Sequence, residues 1–200
     1  MSPQTKFSTG AYPKSVAVGD FNEDGKLDVV TANSGGNTMS MLIATGNGAF
    51  ATQVNTAAGT GPSSIAVGDV NKDNHLDAVV ADSTGNTVSL LFGLGNGTLA
   101  AAVNFATGVN PVFVSINDVD GDGNLDILVA NADSNNIGLL LGTGTGTFGP
   151  LTTYATGTTP SGIAVRDING DGLLDVITAN RGSNNVSVLL NTVTGNCSRP

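Results

Sequence analysis

Four acidic loops carry the side chains of this chain that are best suited to chemistry. The loops are nine residues long and begin at Asp20, Asp69, Asp118 and Asp167, so they recur every 49 residues. Asp or Asn occupies the first, third, fifth and ninth positions of each loop, and Gly occupies the sixth except at Asn74. A hard cation such as calcium needs oxygen ligands with this alternation, and Gly permits the sharp turn. The spacing therefore predicts one calcium site per loop, about four per chain.

The predicted ligands are side-chain oxygens at positions 1, 3, 5 and 9 and a backbone carbonyl at position 7. They belong to Asp20, Asn22, Asp24, Lys26, Asp28, Asp69, Asn71, Asp73, His75, Asp77, Asp118, Asp120, Asp122, Asn124, Asp126, Asp167, Asn169, Asp171, Leu173 and Asp175. The third loop has four Asp residues and is predicted to bind calcium most tightly. The second loop, with Asn71 and Asn74, is predicted to bind it most weakly, although the first and fourth loops also have only three ligand Asp residues.

The charge of the chain is concentrated in these loops. Of the 16 acidic residues, 13 lie at ligand positions, and with 7 basic residues the formal net charge is −9. Four divalent cations would nearly neutralise this charge. A chain this acidic, with no basic run, is not expected to bind nucleic acid or an anionic membrane by electrostatic attraction. No apolar run approaches the length that a membrane span requires, so no membrane insertion is predicted.

Other metal sites and catalytic sites fit the sequence less well. An EF-hand ends with Glu at position 12 between helices, whereas here Asp closes the loop at position 9 between predicted strands. The only His, His75, is expected to turn its carbonyl to the metal and its side chain to solvent. The only Cys, Cys197, is expected to be an incidental thiol in the tail. No pair of nucleophile and base follows, so no catalytic residue and no enzymatic activity are predicted.

Strands must position the loops, because the chain is rich in Gly, Val, Thr and Asn and contains one Glu and no Trp. Each repeat has apolar segments for four short strands, the first of which lies at 15–19, 64–68, 112–116 and 162–166. A single sheet of this kind cannot bury both faces, so the four sheets are expected to stack radially. The prediction is an all-β fold, a β-propeller with four 49-residue, four-stranded blades per chain. The repeats start near residues 13, 62, 111 and 160 within a domain of residues 1–191, and residues 192–200 form a tail.

The residues resemble a known family over nearly the whole chain, from about Phe7 to Leu190. The segments Ala-Val-Gly-Asp before the loop, Leu-Asp-Val-Val after it and Gly-Asn-Gly-x-Phe further on are similar to the FG-GAP/VCBS repeats of bacterial surface proteins. The same type of blade builds the propeller of integrin alpha chains. The resemblance implies a β-hairpin calcium loop between the first two strands of each blade, with the ligand positions given above. It also implies propellers that commonly have seven blades, whereas this chain has four repeats.

Composition and resemblance together predict a non-enzymatic protein that is secreted or on the cell surface. Millimolar extracellular calcium would fill such loops, although the segment after Met1 lacks the features of a signal peptide. The resemblance implies an adhesion or recognition scaffold. A carbohydrate-binding, lectin-like propeller and a structural spacer of a larger surface protein remain alternatives, and the lack of Trp counts against the lectin. A protein or glycan ligand is expected on the face opposite the calcium loops, with Tyr12, Tyr154 and Arg181 as candidate contacts.

The two ends of the repeat array predict how a ring would close. Residues 5–10, Thr-Lys-Phe-Ser-Thr-Gly, repeat the sequence that ends the fourth strand at 54–59 and 103–108, whereas the last repeat ends after its third strand near Leu190. The N-terminal strand is therefore expected to complete the last blade. Closure within one chain gives a four-bladed monomer, closure between two chains gives a head-to-tail homodimer, and a fragment of a longer propeller is the third possibility. The homodimer is favoured because eight blades turn by about 45° each, near the angle of seven-bladed rings.

Overall fold

The computed structural model describes residues 4–192, and none of them is helical. Residues 1–3 and 193–200, including Cys197 and nearly all of the predicted tail, lie outside the described residues. The all-β prediction is therefore confirmed. Among the residues that the structure describes, no helix could cross a membrane.

Each repeat folds as a meander of short strands. The strands of the first repeat are β1 (Pro13–Gly19), β2 (Asp28–Asn33), β3 (Thr38–Leu42), β4 (Ala44–Gly46), β5 (Ala49–Phe50) and β6 (Val54–Ala57). Those of the second are β7 (Pro62–Gly68), β8 (Asp77–Asp82), β9 (Thr87–Leu91) and β10 (Val103–Ala106), and those of the third are β11 (Pro111–Asn117), β12 (Asp126–Asn131), β13 (Asn136–Leu140) and β14 (Thr152–Ala155). The fourth repeat contributes β15 (Pro160–Arg166), β16 (Asp175–Asn180) and β17 (Asn185–Leu189).

All strand pairs are antiparallel, and each repeat forms its own sheet. The first sheet has the order β1-β2-β3-β6, the second β7-β8-β9-β10, the third β11-β12-β13-β14 and the fourth β15-β16-β17. The small hairpin β4–β5 follows the first sheet's third strand. The nine-residue loops join the first and second strands, and the ninth loop residue is the first residue of the second strand.

The sheets pack on one another in chain order, with β1 against β7, β7 against β11 and β11 against β15. One hydrophobic cluster lies between each successive pair of sheets. The first cluster joins Val30 and Met39 of the first sheet to Ile65 and Val80 of the second. The middle strands β8 and β12 are buried over their whole length because a neighbouring sheet covers each face. Side chains on both faces of these strands therefore contribute to the core.

Closure of the last blade within one chain, one of the three possibilities above, is not seen among the described residues. The fourth sheet has three strands among the described residues, and the residues from Thr5 to Gly10 form no strand. These residues instead lie beside the first repeat, where the Phe7 ring contacts the Phe50 ring edge-on and the Gly10 N–H donates a hydrogen bond to Ser40 Oγ. These contacts place the N-terminal segment beside the first sheet, at the other end of the array from β17.

Candidate metal centres

The first carboxylate of each acidic loop shapes the turn by accepting backbone hydrogen bonds. Asp20 Oδ2 accepts from the Gly25 N–H at 2.8 Å, and Asp20 Oδ1 accepts from the Asp24 N–H at 3.1 Å. The equivalent bonds to Oδ2 at loop position 1 come from the N–H groups of Asn74, Gly123 and Gly172. The Asp residues that alternate along the sequence are therefore also the residues that fold the chain into a tight loop.

The ninth carboxylate of each loop is fully buried and ties the loop to the end of the third strand. Asp28 Oδ2 accepts from the Phe21 N–H at 2.9 Å, and Asp28 Oδ1 accepts from the Ala44 N–H at 2.8 Å. The same pair of bonds occurs at Asp77, Asp126 and Asp175. Sequence reasoning assigned these Asp residues to the metal and missed this structural role. The second accepted N–H always lies 16 residues after the Asp, but a backbone donor leaves no mark in the sequence, where Ala, Gly and Asn occupy this position.

The third loop gathers three carboxylates into one cluster. One oxygen from each of Asp118, Asp120 and Asp126 lies within 4.8 Å of the other two. Burial raises the pKa of Asp126 to about 6, and it also raises the pKa of Asp120. Crowding like charges at a desolvated position is unfavourable unless a cation neutralises them. A hard cation with oxygen ligands fits this set of donors.

Asp122, the predicted fifth-position ligand, is outside that cluster. Its Oδ1 accepts from the Asn124 N–H at 2.7 Å and its Oδ2 from Asn124 Nδ2 at 2.7 Å. The Asn124 N–H and side-chain amide, together with the more distant Lys72, hold the pKa of Asp122 below its usual range. Asp122 is therefore ionised at neutral pH, as a metal ligand must be.

The other three loops lack a third-position carboxylate, and none of them brings three carboxylates this close in the described part of the chain. Asn71 Nδ2 donates to Asp73 Oδ2 at 2.8 Å, and Asn169 Nδ2 donates to Asp171 Oδ2 at 2.9 Å. In the first loop Lys26 Nζ donates to Asp24 Oδ2 at 2.8 Å. These bonds satisfy one oxygen of each fifth-position carboxylate with a neighbouring nitrogen. The seventh-position carbonyls of Lys26, His75, Asn124 and Leu173 stay predicted ligands.

His75 differs from its prediction because its side chain is paired with an acid. His75 Nδ1 lies 2.5 Å from Glu23 Oε1, so the side chains of the first and second loops meet. The hydrogen bond to Glu23 raises the pKa of His75. The Gly97 N–H of the second repeat also donates to the Phe21 carbonyl of the first loop at 2.9 Å. The acidic loops and the glycine-rich turns of neighbouring repeats therefore share one face of the array.

The predicted ligand-face residues are not all together. Tyr12 is exposed in the turn before β1 and packs over Gly35. Arg181 belongs to the fourth repeat, and it lines a small pocket of about 170 Å³ together with Asp133 and Thr159. Tyr154 is inside β14, the fourth strand of the third sheet, opposite Ile137. It lines a larger apolar groove of about 480 Å³ between the third and fourth sheets.

Solved structures show a similar fold at low sequence identity. They include an Agrocybe aegerita lectin described as recognising non-reducing terminal N-acetylglucosamine, with a TM-score of 0.59, 18% identity and coverage of 93% of this chain and 50% of that chain. BBS1N in complex with ARL6DN gives a TM-score of 0.61, 15% identity and coverage of 92% and 55%. A protein of unknown function from Desulfotomaculum acetoxidans gives a TM-score of 0.58 and 21% identity, and the match covers 89% of this chain and 55% of that chain. The likeness shows the fold alone, and this chain spans about half the length of these three structures.

Comparison of the sequence identifies the repeat itself. No curated protein sequence matches the chain. The family described as FG-GAP-like repeat matches at residues 20–80, 69–129 and 118–178. Each match starts at the first Asp of an acidic loop and ends beyond the next loop, so the matched unit is the loop-and-sheet repeat seen in the structure. Because these matches cover most of its length, the chain belongs to the FG-GAP-like repeat family.

Proposed function

We propose that this chain is a non-enzymatic, calcium-binding β-propeller module that acts outside the cell as an adhesion or recognition scaffold. The observation that carries the proposal is the cluster of Asp118, Asp120 and Asp126 at the turn between β11 and β12. Three acidic side chains in one nine-residue turn repel one another, and only a bound cation would turn this repulsion into attraction. Membership of the FG-GAP-like family and the likeness to a lectin support a binding role.

Calcium would supply positive charge and up to eight coordination positions for oxygen ligands. The first, third, fifth and ninth residues of each loop would hold it, while the ninth carboxylate keeps the loop attached to the sheet through its two backbone N–H donors. Neighbouring loops lie side by side, so their charges also repel one another across repeats. Calcium is therefore expected to stabilise the array as a whole as well as each turn.

Thermal unfolding with calcium and with excess EDTA tests this proposal. We expect calcium to raise the Tm by several degrees, because a ligand that binds only the folded state stabilises it by mass action. Calorimetry should give about four sites per chain, in line with one per loop. The Asp133→Asn variant, which removes an exposed acid outside the loops, should keep the full calcium response. An unchanged Tm in EDTA would refute the role of calcium as a scaffold.

A carbohydrate-binding function is the second candidate, and the hydrogen-bonding side chains of the small pocket beside Arg181 favour it. Asn110, Asp133, Thr159 and Arg181 together offer hydrogen-bond donors and acceptors on the face away from the acidic loops. Binding to a glycan array that is lost in Arg181→Ala and retained in Lys14→Ala would support this function. Binding to neither glycans nor proteins, with calcium present, would favour a structural spacer.

A further inference from the structure

The N-terminal segment already occupies the position of a fourth strand from a preceding sheet. Phe7 and Phe50 are edge-on with ring centroids 5.1 Å apart, and Phe105 and Phe148 are edge-on at the same 5.1 Å two repeats later. Phe105 belongs to β10, the fourth strand of the second sheet, and Phe148 belongs to the third repeat. Phe7 therefore contacts the first repeat as a fourth strand contacts the repeat that follows it.

A second periodic contact gives the same assignment. The Gly10 N–H donates to Ser40 Oγ at 2.9 Å, as the Gly59 N–H donates to Ser89 Oγ at 2.9 Å. Gly59 lies two residues after the end of the fourth strand of the first sheet, so Gly10 stands where a chain leaving a preceding sheet would stand. Within the described residues, no sheet supplies the other three strands of that preceding unit.

The fourth sheet lacks a fourth strand among the described residues, which is the strand that the N-terminal segment resembles. Its third strand, β17, has β16 on one side and no strand partner on the other among residues 4–192. In the three complete sheets the third strand pairs with the fourth in one register, as in Val88 opposite Phe105 and Ile137 opposite Tyr154. One repeat further on, the same register places Phe7 opposite Val186.

The apolar faces at the two ends of the array are also complementary. The leading face carries Val16 and Val18, and Val16 is 64% exposed, whereas Ile65 at the same position of the second repeat is 6% exposed. The trailing face carries Val186 and Val188, and Val186 is 64% exposed, whereas Met39 at the same position of the first repeat is buried. Ile65 and Met39 meet in the cluster between the first two sheets. Each end face thus carries apolar residues at interface positions, but no neighbouring sheet covers them in the described chain.

A hydrogen bond from a backbone N–H to an Asn side chain also links successive repeats, and the two ends of the array hold its unjoined halves. Asn37 Oδ1 accepts from the Gly61 N–H at 2.9 Å, and Asn135 Oδ1 accepts from the Thr159 N–H at 2.8 Å. Asn184 and the Tyr12 N–H are the next pair in this series. They are at opposite ends of the described chain, so one chain does not join them.

We propose that the partner of these end surfaces is a second copy of this chain, joined head to tail. The trailing face of each copy packs on the leading face of the other, residues 5–8 of each copy add the fourth strand to the other's fourth sheet, and Asn184 accepts from the partner's Tyr12 N–H. Two such contacts related by a two-fold axis close a ring of eight sheets and give every sheet four strands. A second copy fits because its end faces carry apolar residues at the positions that form the internal interfaces.

The mass of the protein in solution tests this inference independently of the function of the loops. Light scattering in calcium buffer should give a monodisperse species of twice the 19.9 kDa chain mass. In a Cys197→Ser background, Phe7→Cys combined with Val186→Cys should oxidise to a covalent dimer with two intermolecular disulfides. A monomer in light scattering, or a disulfide within one chain, would overturn the proposal.

Charge complementation distinguishes a head-to-tail contact from a symmetric one. Val16→Lys and Val186→Glu change exposed end-face residues, so each variant should fold but be monomeric alone. An equimolar mixture should recover the dimer, because one interface then pairs Lys with Glu and the other pairs two native faces. The matched variant Leu94→Lys, at an exposed residue away from both end faces, should remain dimeric. Failure of the mixture to dimerise, with both variants folded, would contradict the head-to-tail arrangement.

Discussion

The second and third repeats have the same packing and different polar residues. Both lie between two other sheets, and their middle strands β8 and β12 are buried throughout. Asp77 and Asp126 accept equivalent backbone hydrogen bonds, and burial raises the pKa of each to about 6. The repeats differ where the second has Asn71, Asn74 and Asp82 and the third has Asp120, Gly123 and Asn131.

This comparison separates what holds a repeat together from what tunes it. The backbone of the two repeats pairs in the same register, so the three substitutions do not disturb the sheet. The differences at loop positions 3 and 6 change the charge and the backbone strain of the metal loop. The difference at Asp82 changes a buried group at the other end of the second strand. Calcium affinity and pH response are therefore expected to vary among repeats while the fold stays constant.

The largest effect is expected from removing the buried ninth carboxylate. Asp77→Ala and Asp126→Ala each leave two buried N–H groups without an acceptor, which costs about 2–5 kcal/mol of unfolding free energy. In EDTA the two losses should be equal, because the lost hydrogen bonds are the same. With calcium present, Asp126→Ala should lose more, since the third loop is the tighter site. Urea unfolding measures both, and equal losses in calcium would break the predicted ranking of the loops.

The next largest effect on stability is expected at Asp82, the buried last residue of β8. Ser89 Oγ lies 2.7 Å from Asp82 Oδ2 and 2.8 Å from Asn104 Oδ1, and its single hydrogen can serve only one of them. In the first repeat Asn33 Nδ2 instead donates to Ser40 Oγ, which leaves the serine hydrogen for its other neighbour. Burial raises the pKa of Asp82 to about 6, because the ionised form loses hydration.

Asp82→Asn should therefore stabilise the protein by about 2–3 kcal/mol at pH 8, where the wild-type carboxylate is ionised. The folded pKa exceeds the unfolded value of about 3.9, so wild-type stability falls as the pH rises from about 4 to about 6 and stays low above. The gain from the variant should shrink as the pH is lowered through that window. The reverse change, Asn131→Asp in the third repeat, should destabilise at pH 8. A gain that is independent of pH would show that folding does not raise the pKa of Asp82.

Exchanging the third loop residue should exchange the calcium affinities. Asn71→Asp adds a carboxylate to the second loop and Asp120→Asn removes one from the third, and each change should shift the Kd by about tenfold. Calorimetry of the double variant should then find the second loop tighter than the third. Asn22→Gln in the first loop is the control, and it should leave both of these affinities unchanged. If the ranking survives the exchange, the number of carboxylates does not set it.

The smallest effect is expected at the sixth loop position. Asn74 has a φ of 69° and Gly123 has a φ of 85°, and Gly adopts such angles without steric cost. Asn74→Gly should raise the unfolding free energy by less than about 1 kcal/mol, and Gly123→Asn should lower it by a similar amount. Thermal unfolding in EDTA isolates this backbone term from metal binding. A lower stability for Asn74→Gly, or a higher one for Gly123→Asn, would contradict the assignment of strain to this position.

The internal repeats were predictable because each carries its own local pattern. The predicted first strand at 64–68 lies within the observed β7, and Leu76 precedes β8 by one residue. The acidic loops were predictable for the same reason, since all of their ligand candidates lie within nine residues.

The sequence by itself determined the repeat length, the all-β class, the loop positions and the family, because each depends on residues that are close together in the chain. Only the tertiary structure showed that Asp28, Asp77, Asp126 and Asp175 anchor the third strand, and that Glu23 meets His75. It also showed that residues 5–10 lie beside the first sheet, away from the fourth. These features depend on how one sheet packs on the next, and that packing joins residues tens of positions apart, where a local pattern carries no information on distance.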